Sequence, residues 1–126
     1  MAATASARLV PALINGRTVR IECLPWCVTD HVAESERSLE DVAHAGALTD
    51  LVVPGGEPGL RLLAHVRLGA DSYAPDPADQ DPFLVVSDGS ESHHLNPKQA
   101  GQFADNLIAF AEQVRSLAHA ITEVAS

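Results

Sequence analysis

Residues 7–32, ARLVPALINGRTVRIECLPWCVTDHV, set the fold, because they read as a β-hairpin that runs directly into a cysteine-bearing turn. Asn15-Gly16 separates two strand-like runs, and this pair best tolerates the positive φ angles of a tight type I′ turn. Pro11 has no N–H to donate to a ladder, which confines the first run to an edge or a strand start. The second run alternates Val19, Ile21 and Cys23 with Arg20 and Glu22, so one face is apolar and Cys23 arrives at the strand's end. Pro25 forbids a regular helix interior, so the chain must turn between Cys23 and Cys27.

That turn concentrates chemistry. Both cysteines of the chain and its only Trp lie there, together with the first of its six His. Three residues separate Cys23 from Cys27, His31 follows at the same interval, and His44 comes after VAESERSLEDVA. Two thiolates and two imidazoles form the donor set that tetrahedral zinc takes, so Cys23, Cys27, His31 and His44 are the expected ligands of a zinc knuckle. Four protein ligands leave no coordination position for water, which makes the expected site structural. Ser38 followed by Asp41 resembles a helix start, and SLEDVAH is expected to form one helical turn that aims His44 back at the site. Trp26 is expected to cover the metal or to wedge against the core. His65 is the substitute ligand if His44 proves distant.

Other readings of the same residues stay open. Two buried free thiols beside unrelated histidines satisfy the composition, since Cys is among the most buried residue types. A disulfide or redox pair is disfavoured by the three intervening residues and a reducing compartment. Were His31 or His44 free of the metal, an open position would permit a zinc-dependent hydrolase with Asp30 or Glu34 as base. A thiol-based sensor, in which oxidation ejects the zinc, is the remaining alternative.

At these residues the chain resembles small actinobacterial proteins grouped as a domain of unknown function with a C-P-P-W-C-x-x-x-H signature. The likeness rests on CLPWCVTDH, a His about a dozen residues on, a few strands, and a helix introduced by LNPKQAGQFADNL. It covers residues 17 to 122 and carries over Cys23, Pro25, Trp26, Cys27, His31 and His44 as family positions. Leu24 stands where the family has its first proline. The resemblance implies an intracellular protein and supports the zinc reading without naming an activity.

Elsewhere the pattern is of strands and one helix. ALTDLVVPG reads as a third strand ended by Pro54 and the loop GGEPG. LRLLAHVRL alternates Leu60, Leu62, Ala64, Val66 and Leu68 with Arg61, His65 and Arg67, a half-buried strand. GADSYAPDPADQDP, rich in Pro and Asp, predicts a solvated, mobile loop, and FLVVSDGSESHHL a hairpin turning near Asp88-Gly89. The clearest helix spans 97 to 124, with Asn96 as cap, Pro97 at its first position and Gln99 completing a capping box. Its residues Phe103, Leu107, Phe110, Val114, Leu117, Ile121 and Val124 follow a heptad rhythm. The expected fold is therefore α+β: a small antiparallel sheet of about four to six strands covered by one long C-terminal helix. Residues 1–7 are expected as a flexible N-terminus and 8–126 as a single zinc-stapled domain.

Composition narrows the function. Aromatics make up only 4% of the 126 residues, so the core must be built from smaller aliphatic side chains and a metal staple would help it. Seventeen acids against eight bases give a net charge of −9, with the bases scattered, which disfavours nucleic acid as a partner. MAATASARLV lacks the features of a signal peptide, and no apolar run approaches the roughly 20 residues that span a bilayer. A cytoplasmic protein is expected. Neither a Gly-x-Ser-x-Gly elbow nor a phosphate-binding glycine pattern occurs, so the chain reads as a non-enzymatic regulatory or protein-interaction module. Its expected partner is another protein of unknown identity, or a second copy in a homodimer through the C-terminal helix.

Overall fold

The computed structural model describes residues 7–55 and 59–125. Residues 1–6, most of the segment expected as a flexible terminus, and 56–58 of the loop GGEPG lie outside the described residues. The architecture is α+β, with a two-stranded sheet, a five-stranded sheet and one long helix. Contacts divide the chain after His94 into two compact units.

The first unit begins with the hairpin that the sequence demands. Strands β1 (Arg8–Ile14) and β2 (Arg17–Cys23) pair antiparallel, with Asn15 at φ 50° and Gly16 at φ 77° between them. Both angles are positive, as a type I′ turn requires. Register sets Val10 opposite Ile21 and Arg8 opposite Cys23, and paired residues share a face. Ala12, Ile21 and Val42 form the buried centre of this region, with Val10, Ile14 and Tyr73 packed against it.

Five further strands form the larger sheet: β3 (His44–Ala45), β4 (Thr49–Pro54), β5 (Leu60–Ala70), β6 (Phe83–Ser87) and β7 (Ser92–Leu95). The long β5 organises them. It pairs antiparallel with β4 along its first part and with β3 at its end, while β6 pairs with it at residues 65–69. Gly69 faces Phe83 in register, and a Cβ there would lie 2.7 Å from the Phe83 ring, so only glycine lets that ring lie across the strand. Phe83 in turn stacks on His94, with centroids 4.3 Å apart.

The segment between β5 and β6 carries more order than its composition suggests. Tyr73 is partly buried, and its hydroxyl accepts a hydrogen bond from the Glu22 N–H at 2.9 Å. A short 3-10 turn follows at Pro77–Gln80, where the Asp76 carboxylate accepts from the Ala78 N–H.

The second unit is α1 (Pro97–Ala125). Its start is the reciprocal capping box expected from Asn96 and Gln99. The Asn96 side chain accepts from the Gln99 N–H at 2.8 Å, and the Gln99 side chain accepts from the Asn96 N–H at 3.0 Å. No helix among the described residues is long and apolar enough to cross a membrane.

Candidate metal centre

Separate backbone devices deliver the four side chains. Cys23 ends β2, and the turn that follows is closed by the Cys27 N–H donating to the Leu24 carbonyl at 3.0 Å. Pro25 occupies the second place of that turn, where its fixed φ is favourable. Cys27 pairs with Gly46, and the Val28 N–H donates to the Ala45 carbonyl, which ties the turn to β3. Trp26 lies against the same corner: a Cβ on Gly46 would sit 3.5 Å from its ring.

His31 is set by the edge of the hairpin. Its carbonyl accepts from the Leu13 N–H at 3.1 Å, and farther along Glu36 exchanges backbone hydrogen bonds with Leu13 and Asn15. Asp30 caps the turn that begins there, one carboxylate oxygen accepting from the Val32 and Ala33 N–H groups. Asp30, one of the two candidate bases beside Glu34, is thus engaged locally.

His44 arrives by a route different from the one the sequence suggested. The turn at Leu39–Asp41 is a single 3-10 turn, and the Ser38 hydroxyl donates to the Asp41 carboxylate rather than accepting from a backbone N–H. What fixes His44 is its pairing with Ala70 at the end of β5. A two-residue strand was invisible to periodicity, because alternation needs a longer run to register.

The result is one tight cluster. The ligand atoms of Cys23, Cys27, His31 and His44 all lie within 4.8 Å of one another. Cys23 Sγ is 3.6 Å from His31 Nε2 and 3.7 Å from His44 Nδ1, and Cys27 Sγ is 3.7 Å from His31 Nε2. Around tetrahedral zinc, with Zn–S about 2.3 Å and Zn–N about 2.0–2.1 Å, neighbouring S and N atoms stand about 3.5–3.6 Å apart. The separations fit that geometry. The imidazoles meet edge to face at 5.1 Å, and every member is at most 5% exposed. Both cysteines are free thiols, so the cluster is not a disulfide. His65, the substitute ligand, lies outside this group.

Electrostatics sharpen the cluster's character. Burial, followed by the neighbouring Cys27, pushes the Cys23 thiol up from 9.0 to about 11. Burial acts the same way on Cys27, but hydrogen bonds from the Thr29 and Ala45 backbone and from the Thr29 side chain hold it below its ordinary value. Burial lowers both His31 and His44, so each imidazole favours its neutral form. Neutral imidazoles and thiolates are the forms in which His and Cys bind a divalent cation. Arg8, opposite Cys23 in the hairpin, donates to the Cys27 carbonyl at 3.1 Å and holds the turn against the strand. The cluster can hold a metal ion.

A family model described as a domain of unknown function, DUF6907, matches residues 7–123. The chain belongs to this family. In this DUF6907 chain the matched span takes in the hairpin, all four members of the cluster and nearly the whole of α1. Comparison with curated proteins and with solved structures gives no match.

The sequence reading named the four clustered residues but missed two that support them. Arg8 was counted only among scattered bases, although the hairpin register already placed it opposite Cys23. Tyr73 sits in a segment read as solvent-facing, and the signal for it was weak: it is the only tyrosine of the chain.

Proposed function

We propose that Cys23, Cys27, His31 and His44 bind one zinc ion as a closed structural site, and that the domain works as a non-enzymatic module for protein interaction. The observation that carries the metal is the set of 3.6–3.7 Å sulfur-to-nitrogen separations among side chains buried from solvent. Four donors complete a tetrahedral shell, so zinc here stabilises the fold and leaves no position at which a substrate or water would bind. The mixed thiolate and imidazole donors in a tetrahedral arrangement support zinc as that ion.

The interaction half of the proposal rests on α1. The positions flanking its heptad seam are Ala104, Asn106, Ala111, Gln113, Ala118, Ala120 and Ala125, none of them charged. Two copies, each with a net charge of −9, therefore meet along the seam without opposing like charges there. A second copy is the partner this arrangement serves first, in the cytoplasm expected from the sequence.

Native mass spectrometry of the purified chain tests the metal: one zinc per chain is expected, lost with a chelator and absent from Cys23→Ser and His44→Ala. Retention in both variants, or no metal in the unaltered chain, ends the four-ligand proposal. Sedimentation over a range of concentrations tests the second copy, and a monomer throughout removes it. Zinc that carries an ordered water would favour the hydrolase, and zinc released by mild peroxide and recovered on reduction would favour the sensor.

A further inference from the structure

His44 presents an unusual problem for a metal ligand. Its Nδ1 faces Cys23 Sγ at 3.7 Å, so the ring must bind through Nδ1 and carry its proton on Nε2. That Nε2 is buried and has no hydrogen-bond partner, on a residue only 2% exposed. A ligating imidazole almost always donates its second N–H to a carboxylate, carbonyl or water, which fixes the tautomer and strengthens the ligand. The donor is in place, and a carboxylate held beside it would complete the pair.

Three anchors converge on one candidate. His44 pairs with Ala70 in the sheet, so Asp71 is the next residue beyond the strand position that holds His44. The Asp71 carbonyl accepts from the Ala74 N–H at 3.0 Å, which curls the chain into a turn directly after it. Inside that turn Tyr73 is bound to the Glu22 N–H, adjacent to Cys23. Asp71 is thus held between the residue paired with His44 and a residue tied beside Cys23.

We propose that Asp71 is the outer-sphere carboxylate of the metal centre, receiving the Nε2–H of His44 when the cluster binds its ion. This rests on the zinc reading above and adds a fifth, non-ligating residue to the site. Asp71 is a positioning residue: it selects the Nδ1-binding tautomer, orients the ring and makes the imidazole a stronger donor.

The test uses the full chain and zinc itself, with affinity measured by competition against a chromophoric chelator. Asp71→Ala is expected to weaken zinc by about 10–100-fold while still binding one ion per chain at saturation. Asp71→Asn keeps an acceptor oxygen without the charge, and should fall between that variant and the unaltered chain. Nitrogen-15 NMR of the zinc-loaded protein supplies a readout that a merely structural role would not move. The His44 Nε2–H should be visible and slow to exchange in the unaltered chain, and lost to exchange in Asp71→Ala. Equal zinc affinities in the unaltered chain and both variants would overturn the role of Asp71 and leave the zinc site standing. A ring bound through Nε2 would overturn it as well. Failure of the unaltered chain to bind zinc would instead remove the site, and Asp71's role with it.

Discussion

Along one edge of β5 lie two neighbours that treat burial in opposite ways. β3 is two residues long and carries His44, a polar side chain 2% exposed. β4 is six residues long and exposed at every position, although Leu51, Val52 and Val53 are apolar. On these two strands burial therefore does not follow hydrophobicity. The largest fully buried side chains among the described residues are His44, Val42 and Cys23. Two thiols and two imidazoles enclosed this way cost free energy unless something satisfies them. A bound cation would turn that cost into stability, because such a site forms only in the folded chain.

Removing the metal should break the comparison most severely. Hydrogen exchange with and without chelator should show the amides of Leu13, Asn15, Glu36 and Gly46 losing protection, since their hydrogen bonds tie the ligand-bearing segments together. Structural zinc is worth on the order of 10 kcal/mol in small metal-dependent domains, so the loss should be large. The amides joining β4 to β5 should change less. A uniform loss across both regions would mean that the cluster is not the local source of order.

Truncation of one apolar residue in each region makes the next test. Ile21→Ala opens a cavity beside Ala12 and Val42 and should cost about 2–5 kcal/mol in denaturant unfolding. Leu51→Ala, on the exposed strand, should stay within about 0.5 kcal/mol. Equal costs would show that β4 contributes to a core as much as the hairpin does.

Acidity separates the two regions by charge. Burial holds His31 and His44 below 6.5 in the folded, metal-free chain, so the unfolded chain binds more protons as the pH falls past that value. Their contribution to stability is complete above 6.5 and is lost as the pH drops through the depressed folded values. Cys23 acts at the other end. With its thiol raised from 9.0 to about 11, its contribution is complete below 9.0 and is lost as the pH climbs through about 11. Cys27, held below 9.0, works against this: its contribution is complete above 9.0 and is lost as the pH falls from there. Metal-free unfolding should therefore show an acid limb below 6.5 from the histidines and opposed slopes from the two thiols around and above 9.0. Alanine at His44 should flatten the acid side, and an unchanged acid limb would show that its burial is not what sets the dependence.

How much of this was legible in the sequence depends on the range of the interaction involved. The Asn15-Gly16 turn and the Asn96/Gln99 box are written in adjacent residues, and both formed as expected. The spacing of Cys23, Cys27 and His31 is local too, and the three come together through one turn and one hairpin edge. His44 was named for the right cluster but by the wrong device, since a pairing with Ala70 across 26 positions leaves no mark on local periodicity. The separation of the hairpin from the larger sheet escaped for the same reason. Alternation says that a strand exists and which face is apolar, but not which strand it will pair with.

Asp88 offers the smallest effect and the cleanest control, because it lies far along the chain from the cluster and closes the turn between β6 and β7. One carboxylate oxygen accepts from the Ser90 and Glu91 N–H groups, each at 2.8 Å, and Gly89 takes the positive φ of 95° that the turn requires. Hydrogen bonds from Glu91 and then Ser90 hold this carboxyl below 3.8. A depressed acid stabilises the fold above its unfolded value, and that contribution is lost as the pH falls below 3.8. Asp88→Ala should loosen the β6–β7 turn in hydrogen exchange, with less effect on global unfolding than Ile21→Ala. Asp88→Asn keeps an acceptor and should preserve the turn while erasing the acid dependence below 3.8. The two acidic limbs, one starting at 6.5 from buried histidines and one below 3.8 from an exposed turn, should therefore respond to separate substitutions. If Asp88→Asn moved the limb at 6.5, the cluster and the β6–β7 turn would have to share one cooperative unit, and the local account of burial around the cysteines and histidines would fail.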